Sequence, residues 1–209
     1  MMKAIVGQQR QLKRKLSKQI VPEFSFVMEQ PEEKKPDPAG LDRCIYLTGP
    51  VGEEVSKETI CLLLEYQRQD PMREVTIILD SYGGEVDSMY AITDVMELVI
   101  TPIRTICIGK AMSAAAFIFL SGAKGRRFMT RHSRLMFHQM STSHWGPVSD
   151  ILISTNEIRF LQEQMIEDIS KRSKLKTDAV RALIDRESYI RPEEAIKMGI
   201  CDKIIDRLS

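Results

Sequence analysis

One serine and one histidine in this chain have the types and spacing for nucleophilic chemistry. Ser113 lies in a run of small apolar residues, Gly-Lys-Ala-Met-Ser-Ala-Ala-Ala-Phe, and His138 follows it across one hydrophobic segment. A serine hydroxyl is a weak nucleophile until a neighbouring base removes its proton, and histidine is the side chain that most often acts as that base. The pair therefore predicts a serine nucleophile with a histidine base.

Backbone amides suited to a reacting oxyanion are expected at two places. The apolar run 75–79 leads into Asp-Ser-Tyr-Gly-Gly at 80–84, where two glycines let N–H groups turn toward a substrate oxygen. Ala114 follows Ser113 at the expected start of a helix, and an amide in the first turn has no partner within its own helix. The glycine pair and Ala114 are therefore candidate oxyanion donors.

Simpler roles exist for the same two side chains. Serine is a common helix N-cap, and a histidine at a strand end is often structural. Against these roles, Ser113 stands between an expected strand and an expected helix, and His138 ends a strand at the carboxyl edge of the sheet, where α/β sites open. A serine–lysine pair with Lys110 is a further alternative, but Lys110 precedes the serine closely on the same strand end.

Composition and charge exclude several classes of protein. The 209 residues include 30 basic and 29 acidic side chains, and this balance argues against a general nucleic-acid-binding surface. No apolar stretch approaches the ~20 residues of a membrane helix, and no secretory signal is evident, so we expect a cytoplasmic protein without membrane partners. The four cysteines and three histidines show no metal-binding spacing, so we expect neither a metal nor an organic cofactor.

Short β-branched runs alternate with helical periodicities, which predicts an α/β fold with a largely parallel sheet. The strands are expected at 44–47, 75–79, 105–108 and 135–137. The helices are expected at about 53–68, 86–99, 113–122, 148–172, 177–185 and 192–198. The helix at 148–172 is long and carries apolar residues close to helical spacing, and we expect it to project and pack against another subunit.

The first 40 residues have the composition of an extension and linker ahead of a domain at 41–209. We expect a basic helix from about Gln8 to Gln19, a short apolar segment from Phe24 to Met28, and a linker rich in proline and charge from Pro31 to Pro38.

Several dispersed motifs from about Cys44 to Asp206 carry a family resemblance. They are Tyr-Leu-Thr-Gly-Pro at 46–50, Ser-Tyr-Gly-Gly at 81–84, Gly-Lys-Ala-Met-Ser at 109–113, Ser-Gly-Ala-Lys-Gly-Arg-Arg-Phe at 121–128, Ser-Arg-Leu-Met-Phe-His-Gln at 133–139, and Pro-Glu-Glu-Ala at 192–195 with Gly199. With these motifs the chain resembles the proteolytic subunit of the Clp protease, a serine peptidase that stacks as two heptameric rings. The resemblance implies the fold shared by Clp protease and crotonase, with repeated ββα and βα units and a projecting handle helix within about 139–172.

The resemblance also implies a role for individual residues. Ser113 matches the nucleophile and His138 the general base, while Gly84 and Ala114 match the two amides of the oxyanion hole. Glu187 occupies the position of the third catalytic residue, an aspartate in the family.

A glutamate can orient the histidine of such a triad, and Asp185 is the alternative carboxylate. Asp185 and Arg186 match residues that form ion pairs across the ring-to-ring contact in the family. Tyr82 stands where the family has proline, and alanines occupy 114 and 115 in place of a larger residue and a glycine.

The activity implied is that of an ATP-dependent Clp-type serine endopeptidase, which cleaves unfolded polypeptides inside an oligomeric chamber. The chain has no Gly-x-x-x-x-Gly-Lys-Ser/Thr loop, so the implied partner is a separate hexameric ATP-dependent unfoldase. The segment 31–38 interrupts the region that contributes to unfoldase docking in the family.

Two alternatives to this activity come from the same residues. Glu187, Tyr82 and the flank of Ser113 leave open a catalytically weak or inactive ring subunit. An acyl-CoA enzyme of the crotonase type is a weaker alternative, because its adenine-binding motif and active-site glutamate are not evident. The segment 140–146 is expected along the substrate, where Trp145 would line a subsite or pack at a subunit contact.

Overall fold

The structure, a computed structural model, describes residues 41–208. The expected basic helix, apolar segment and linker within the first 40 residues lie outside this range, and the boundary at residue 41 stays a prediction. Within residues 41–208, no helix is both long and apolar enough to span a membrane.

Seven strands and six helices follow one another in the described part of the chain, after a 3₁₀ turn at Leu41–Arg43. The strands are β1 (Cys44–Val51), β2 (Val75–Gly84), β3 (Ile103–Met112), β4 (Arg127–Thr130), β5 (Arg134–Phe137), β6 (Ser188–Ile190) and β7 (Lys203–Ile205). The helices are α1 (Glu53–Gln69), α2 (Val86–Leu98), α3 (Ala114–Leu120), α4 (Val148–Arg172), α5 (Thr177–Ile184) and α6 (Pro192–Met198).

All the strands join one sheet, which divides along the length of β3. The order β1-β2-β3-β4-β7 is parallel throughout. The first half of β3 pairs with β4, whereas its last residues pair in parallel with β5, which in turn pairs antiparallel with β6. The length of β3 therefore lets two strands share one edge and brings the end of β5 beside the start of α3.

The buried core explains why the central elements form where they do. Val75, Thr76, Ile77, Ile78 and Leu79 of β2 are all buried, which is the continuous pattern of a strand covered on both faces. Every residue of α3, from Ala114 to Leu120, is buried as well. The three alanines that open α3 let its first turn lie close to the sheet.

The expected α/β fold is confirmed, and the six expected helices are present with ends within two residues of the prediction. The central strands are longer than expected, because β2 continues through the glycine pair to Gly84. A register shift between Leu79 and Ser81 lets the strand continue, and Gly83 and Gly84 pair with Pro50 and Val51. The glycine pair is thus part of a strand and not of a turn.

Three strands were not expected from the sequence. These strands, β4, β6 and β7, have only four, three and three residues. In β4 the two apolar residues are adjacent, and β6 and β7 have only three residues, so none of them shows the alternation of apolar and polar residues that identifies a strand.

Candidate active site

The parallel pairing of β3 with β5 places Ser113 beside His138. Met112, the last residue of β3, is opposite Met136 in that pairing, and β5 ends one residue later at Phe137. The amide of Ser113 donates to the carbonyl oxygen of Met136 at 2.8 Å, and Nε2 of His138 lies 2.8 Å from Oγ of Ser113. The structure therefore brings the expected nucleophile and base within hydrogen-bonding distance.

Ser113 has a strained backbone. Its φ of 53° and ψ of −124° make it the one non-glycine residue with positive φ within residues 41–208. Such conformations cost about 1–3 kcal/mol and are found mainly at functional sites. Ser113 is the N-cap residue of α3, yet its hydroxyl makes no capping hydrogen bond. The hydroxyl contacts the imidazole instead, which argues against a purely structural role for this serine.

The glycine pair of β2 lies directly against this turn. A Cβ atom added to Gly83 would lie 2.5 Å from the carbonyl oxygen of Met112 and 2.9 Å from the amide nitrogen of Ala114. A Cβ atom on Gly84 would lie 2.1 Å from the carbonyl oxygen of Val51. Glycine is therefore required at both positions, because only a bare backbone fits between β1 and the start of α3.

A cleft of about 60 Å³ joins the candidate residues. Ser113, His138, Gly84 and Ala114 all contribute to its wall. The rest of its lining is mostly apolar and comes from Val86, Met89, Phe117, Phe137, Met140 and Met165, with Gln139 and Ser141 at the strand end. The two expected oxyanion donors thus face the same space as the expected nucleophile and base.

Glu187 makes its side-chain hydrogen bond with a residue other than His138. Its carboxylate accepts a hydrogen bond from the hydroxyl of Tyr189 at 3.0 Å. This hydrogen bond, together with the negative charge of Glu187, raises the pKa of Tyr189 above its ordinary value. No carboxylate of residues 41–208 reaches hydrogen-bonding or ion-pair distance of His138. The expected third catalytic residue therefore has a different partner in this structure.

Asp185 and Arg186 are exposed to solvent on the loop between α5 and β6. Their side chains are 75% and 88% exposed, and they approach one another only at 3.9 Å. The main-chain carbonyl of Asp185 accepts a hydrogen bond from the Gln139 side chain at 3.2 Å. Gln139, the residue after the histidine, thus ties this loop to the end of β5.

Lys110 does not contact the serine. Its ammonium group pairs with Asp80 at 2.8 Å and lies 4.3 Å from the centre of the Tyr82 ring. Both contacts hold the ammonium group away from Ser113. The serine–lysine alternative therefore loses its support.

The sequence reasoning missed Tyr189 and Gln139 as residues of this region. Glu187 and Tyr189 are two residues apart, and residues at that spacing in an extended chain point to the same face. That spacing was visible in the sequence, but its meaning required knowledge that residues 188–190 form a strand. Within residues 41–208, no three side chains among His, Cys, Asp and Glu lie together as a metal site would need.

Comparison with known proteins places these residues in a family. The family model described as Clp protease matches residues 39–208. The chain is 33% identical over 166 residues to the "ATP-dependent Clp protease proteolytic subunit 1" of Prochlorococcus marinus subsp. pastoris, a match that covers 79% of this chain and 85% of the relative. The protein of the same name from Prochlorococcus marinus strain MIT 9312 is 34% identical over the same proportions. The chain belongs to the Clp protease family of peptidases.

Proposed function

We propose that this chain is a serine endopeptidase subunit that cleaves unfolded polypeptides by acyl transfer. The observation that carries the proposal is the 2.8 Å contact between Oγ of Ser113 and Nε2 of His138. The serine is held there by a strained backbone and does not cap its helix. A serine with only a structural role has no need of either feature.

In the first step, His138 removes the proton from Ser113 as Oγ attacks the carbonyl carbon of a peptide bond. The amides of Gly84 and Ala114 donate to the oxygen of the tetrahedral intermediate, where the negative charge develops. His138 then donates its proton to the leaving amine, so the C–N bond breaks and an acyl-enzyme remains on Ser113.

In the second step, His138 removes a proton from water, which attacks the ester carbonyl. The same amides stabilise the second oxyanion, and collapse of the intermediate returns the proton to Ser113 and releases the carboxylic acid product. In this proposal Glu187 accepts the second imidazole N–H and stabilises the imidazolium formed in each step.

The cleft supports a polypeptide substrate with an apolar side chain beside the cleaved bond. Met89, Phe117, Phe137 and Met165 form much of its wall, and these side chains gain from excluding water together with an apolar ligand. Residues 138–147 have no regular secondary structure and are largely exposed. An extended substrate can pair with backbone of this kind by adding as a strand, which requires that the substrate be unfolded.

Assembly into stacked heptameric rings is the arrangement we propose for the active protein. The handle helix α4 exposes Val148, Leu152, Ile153 and Phe160, each more than half accessible in the single chain. These side chains along one helix form an apolar surface that a second copy would cover. The exposed Asp185 and Arg186 are proposed to form their ion pairs across the contact between rings.

An ATP-dependent unfoldase is the proposed partner for the digestion of folded proteins. The names of the Prochlorococcus relatives describe an ATP-dependent protease. On this chain, an apolar groove of about 550 Å³ is lined by Tyr46, Ile78, Ile106, Ile108, Ile205 and Leu208, among others. We propose that an apolar loop of the unfoldase occupies this groove.

A weak or inactive ring subunit is the second candidate function. It is favoured by one observation, the hydrogen bond between Glu187 and Tyr189 in place of a contact with His138. Without an orienting carboxylate, the imidazole stabilises its charged form less well and the reaction slows by up to about 10⁴-fold.

Labelling with a fluorophosphonate probe separates these two functions. The probe phosphonylates only an activated serine, so the peptidase is expected to carry the label on Ser113 in mass spectra of the assembled protein. Ser113→Ala is the control and should remain unlabelled. Absence of labelling in the assembled wild-type protein would favour the inactive subunit and contradict the peptidase.

A further inference from the structure

The pairing of β5 with β6 ends at Phe137 and Ser188, the neighbours of His138 and Glu187 in the chain. In this antiparallel pair, Met136 is opposite Tyr189 and Phe137 is opposite Ser188. Continuing the same register by one residue puts His138 opposite Glu187. Directly opposed residues of an antiparallel pair have Cβ atoms about 4.5–5.5 Å apart. On this continued register the backbone would hold Glu187 within reach of the imidazole.

The same register places Tyr189 on the face shared by Glu187 and His138. Residues 187 and 189 are two positions apart, so their side chains leave the strand on the same side. The Tyr189 hydroxyl donates to Oε2 of Glu187 at 3.0 Å, while the carboxylate makes no contact with His138. The Glu187 carboxylate thus has two potential hydrogen-bond donors, the Tyr189 hydroxyl and the His138 imidazole. In this structure it accepts from the Tyr189 hydroxyl.

We propose that Tyr189 is a positioning residue whose hydroxyl holds the Glu187 carboxylate away from His138 and so limits how often the triad forms. This inference rests on the proposed function. When the Tyr189 hydrogen bond breaks, the carboxylate rotates about its own side-chain bonds and accepts the imidazole N–H. The strands need not move, because the β5–β6 register already sets the distance.

The solvent exposure of Tyr189 determines how strongly its hydrogen bond can limit triad formation. Tyr189 is 52% exposed, so its hydroxyl exchanges the carboxylate for water readily. A hydrogen bond to a group in contact with solvent shifts an equilibrium by about two- to tenfold. Removing the hydroxyl should therefore increase the rate of the acylation step by about that factor. Structural damage would lower the rate, so a gain distinguishes a positioning role from a structural one.

The test compares four variants of the full chain in their assembled form. They are Tyr189→Phe, Glu187→Gln, the double variant with both changes, and Tyr66→Phe. Tyr66 is a matched control, because its hydroxyl also makes one hydrogen bond, to the Asp42 carbonyl at 3.4 Å on the side of α1. The measurements are kcat and KM on a short fluorogenic peptide, together with the rate at which a fluorophosphonate labels Ser113.

We expect Tyr189→Phe to raise kcat and the labelling rate about two- to tenfold with KM nearly unchanged. In the Glu187→Gln background the same change should give no gain, and Tyr66→Phe should behave as wild type. An unchanged or lower kcat in Tyr189→Phe, or an equal gain without the Glu187 carboxylate, would overturn the role of Tyr189 while leaving the peptidase intact. Absence of Ser113 labelling in both wild type and Tyr189→Phe would instead remove the proposed function and this inference with it.

Discussion

The amide of Ser113 donates a hydrogen bond to the carbonyl of Met136 at 2.8 Å, which fixes the serine between the ends of β3 and β5. This bond holds Ser113 at a φ of 53°, where a side chain is strained. The same geometry turns its hydroxyl toward His138. The backbone strain at Ser113 therefore accompanies the geometry that brings its hydroxyl to His138, and the proposed chemistry depends on that contact.

Ser113→Gly should make the protein more stable and inactive. Glycine adopts positive φ without strain, and the relief of about 1–3 kcal/mol exceeds the roughly 0.5–1 kcal/mol of extra flexibility that glycine brings to the unfolded chain. Ser113→Ala is the matched variant, because it also removes the hydroxyl but keeps the Cβ atom. Thermal denaturation should place Ser113→Gly above Ser113→Ala, and equal midpoints would show that the turn is not strained.

Gly84→Ala should reduce the rate of Ser113 labelling strongly. The added Cβ atom would lie 2.1 Å from the Val51 carbonyl oxygen, so the strand must shift and carry the Gly84 amide with it. Loss of one oxyanion donor lowers kcat by about 10²–10³-fold. Peptide hydrolysis and probe labelling of the assembled variant measure this loss.

Gly125→Ala is the control for the glycine experiment. Gly125 has a φ of 86°, and an added Cβ atom would have no neighbour within 4 Å. This variant incurs only the conformational penalty of about 1 kcal/mol, and its labelling rate should match that of wild type. If both variants label at the wild-type rate, the Gly84 amide has no part in the reaction.

Glu187→Gln should lower kcat by at least about tenfold, with the ~10⁴-fold effect of a disabled triad carboxylate as the upper limit. Glutamine keeps the shape of the side chain but cannot balance the charge of the imidazolium. Asp185→Asn is the comparison, because the Asp185 side chain is 75% exposed and only its main-chain carbonyl is tied to Gln139. If Asp185→Asn abolishes hydrolysis in intact rings and Glu187→Gln does not, then Asp185 is the orienting acid.

The comparison of Glu187 with Ser113 shows what a sequence can predict about this site. Ser113 and His138 each follow a strand that is visible as an apolar run, and the ends of parallel strands meet at one edge of a sheet. Their proximity could therefore be predicted. The position of Glu187 depends on β6, which has three residues and no recognisable pattern, and on its antiparallel register with β5.

Long elements could be predicted because they contain enough apolar residues to show a periodicity. The 25 residues of α4 contain enough apolar positions to define a helical period, and the prediction of 148–172 agrees with the structure. The extension of β2 to Gly84 was missed, because the polar and glycine residues at 80–84 favour a turn locally. Pairing with β1 and β3 on either side outweighs that local preference.

The ion pair between Arg127 and Asp202 should contribute strongly to stability. Arg127 at the start of β4 is only 4% exposed, and it binds both carboxylate oxygens of Asp202 at 2.7 and 2.9 Å. The same carboxylate accepts hydrogen bonds from the amides of Gly125 and Arg127. Asp202→Asn leaves the buried guanidinium without a counter-charge, so we expect a loss of about 3–5 kcal/mol in urea denaturation.

Asp206→Asn is the matched control for this loss. Asp206 also pairs with an arginine, Arg131, but the two side chains are 72% and 69% exposed and lie 3.3 Å apart. Water screens such a pair, so its removal should change the free energy of unfolding by less than about 1 kcal/mol. Equal losses in the two variants would show that burial of Arg127 is not what makes its pair important.

The free energy of unfolding should depend on pH through the ionisation of the Asp202 carboxylate. Burial acts to raise the pKa of Asp202, but the hydrogen bonds and charge of Arg127 outweigh it and hold this pKa below the ordinary value of 3.8. As pH falls through 3.8, the unfolded chain therefore takes up the proton before the folded protein does, and the stability present at higher pH is lost. Asp202→Asn removes this proton uptake, so the gap in unfolding free energy between wild type and variant should narrow as the pH falls below about 4. A gap that stays constant between pH 3 and pH 6 would mean that the pair with Arg127 does not favour the ionised form of Asp202.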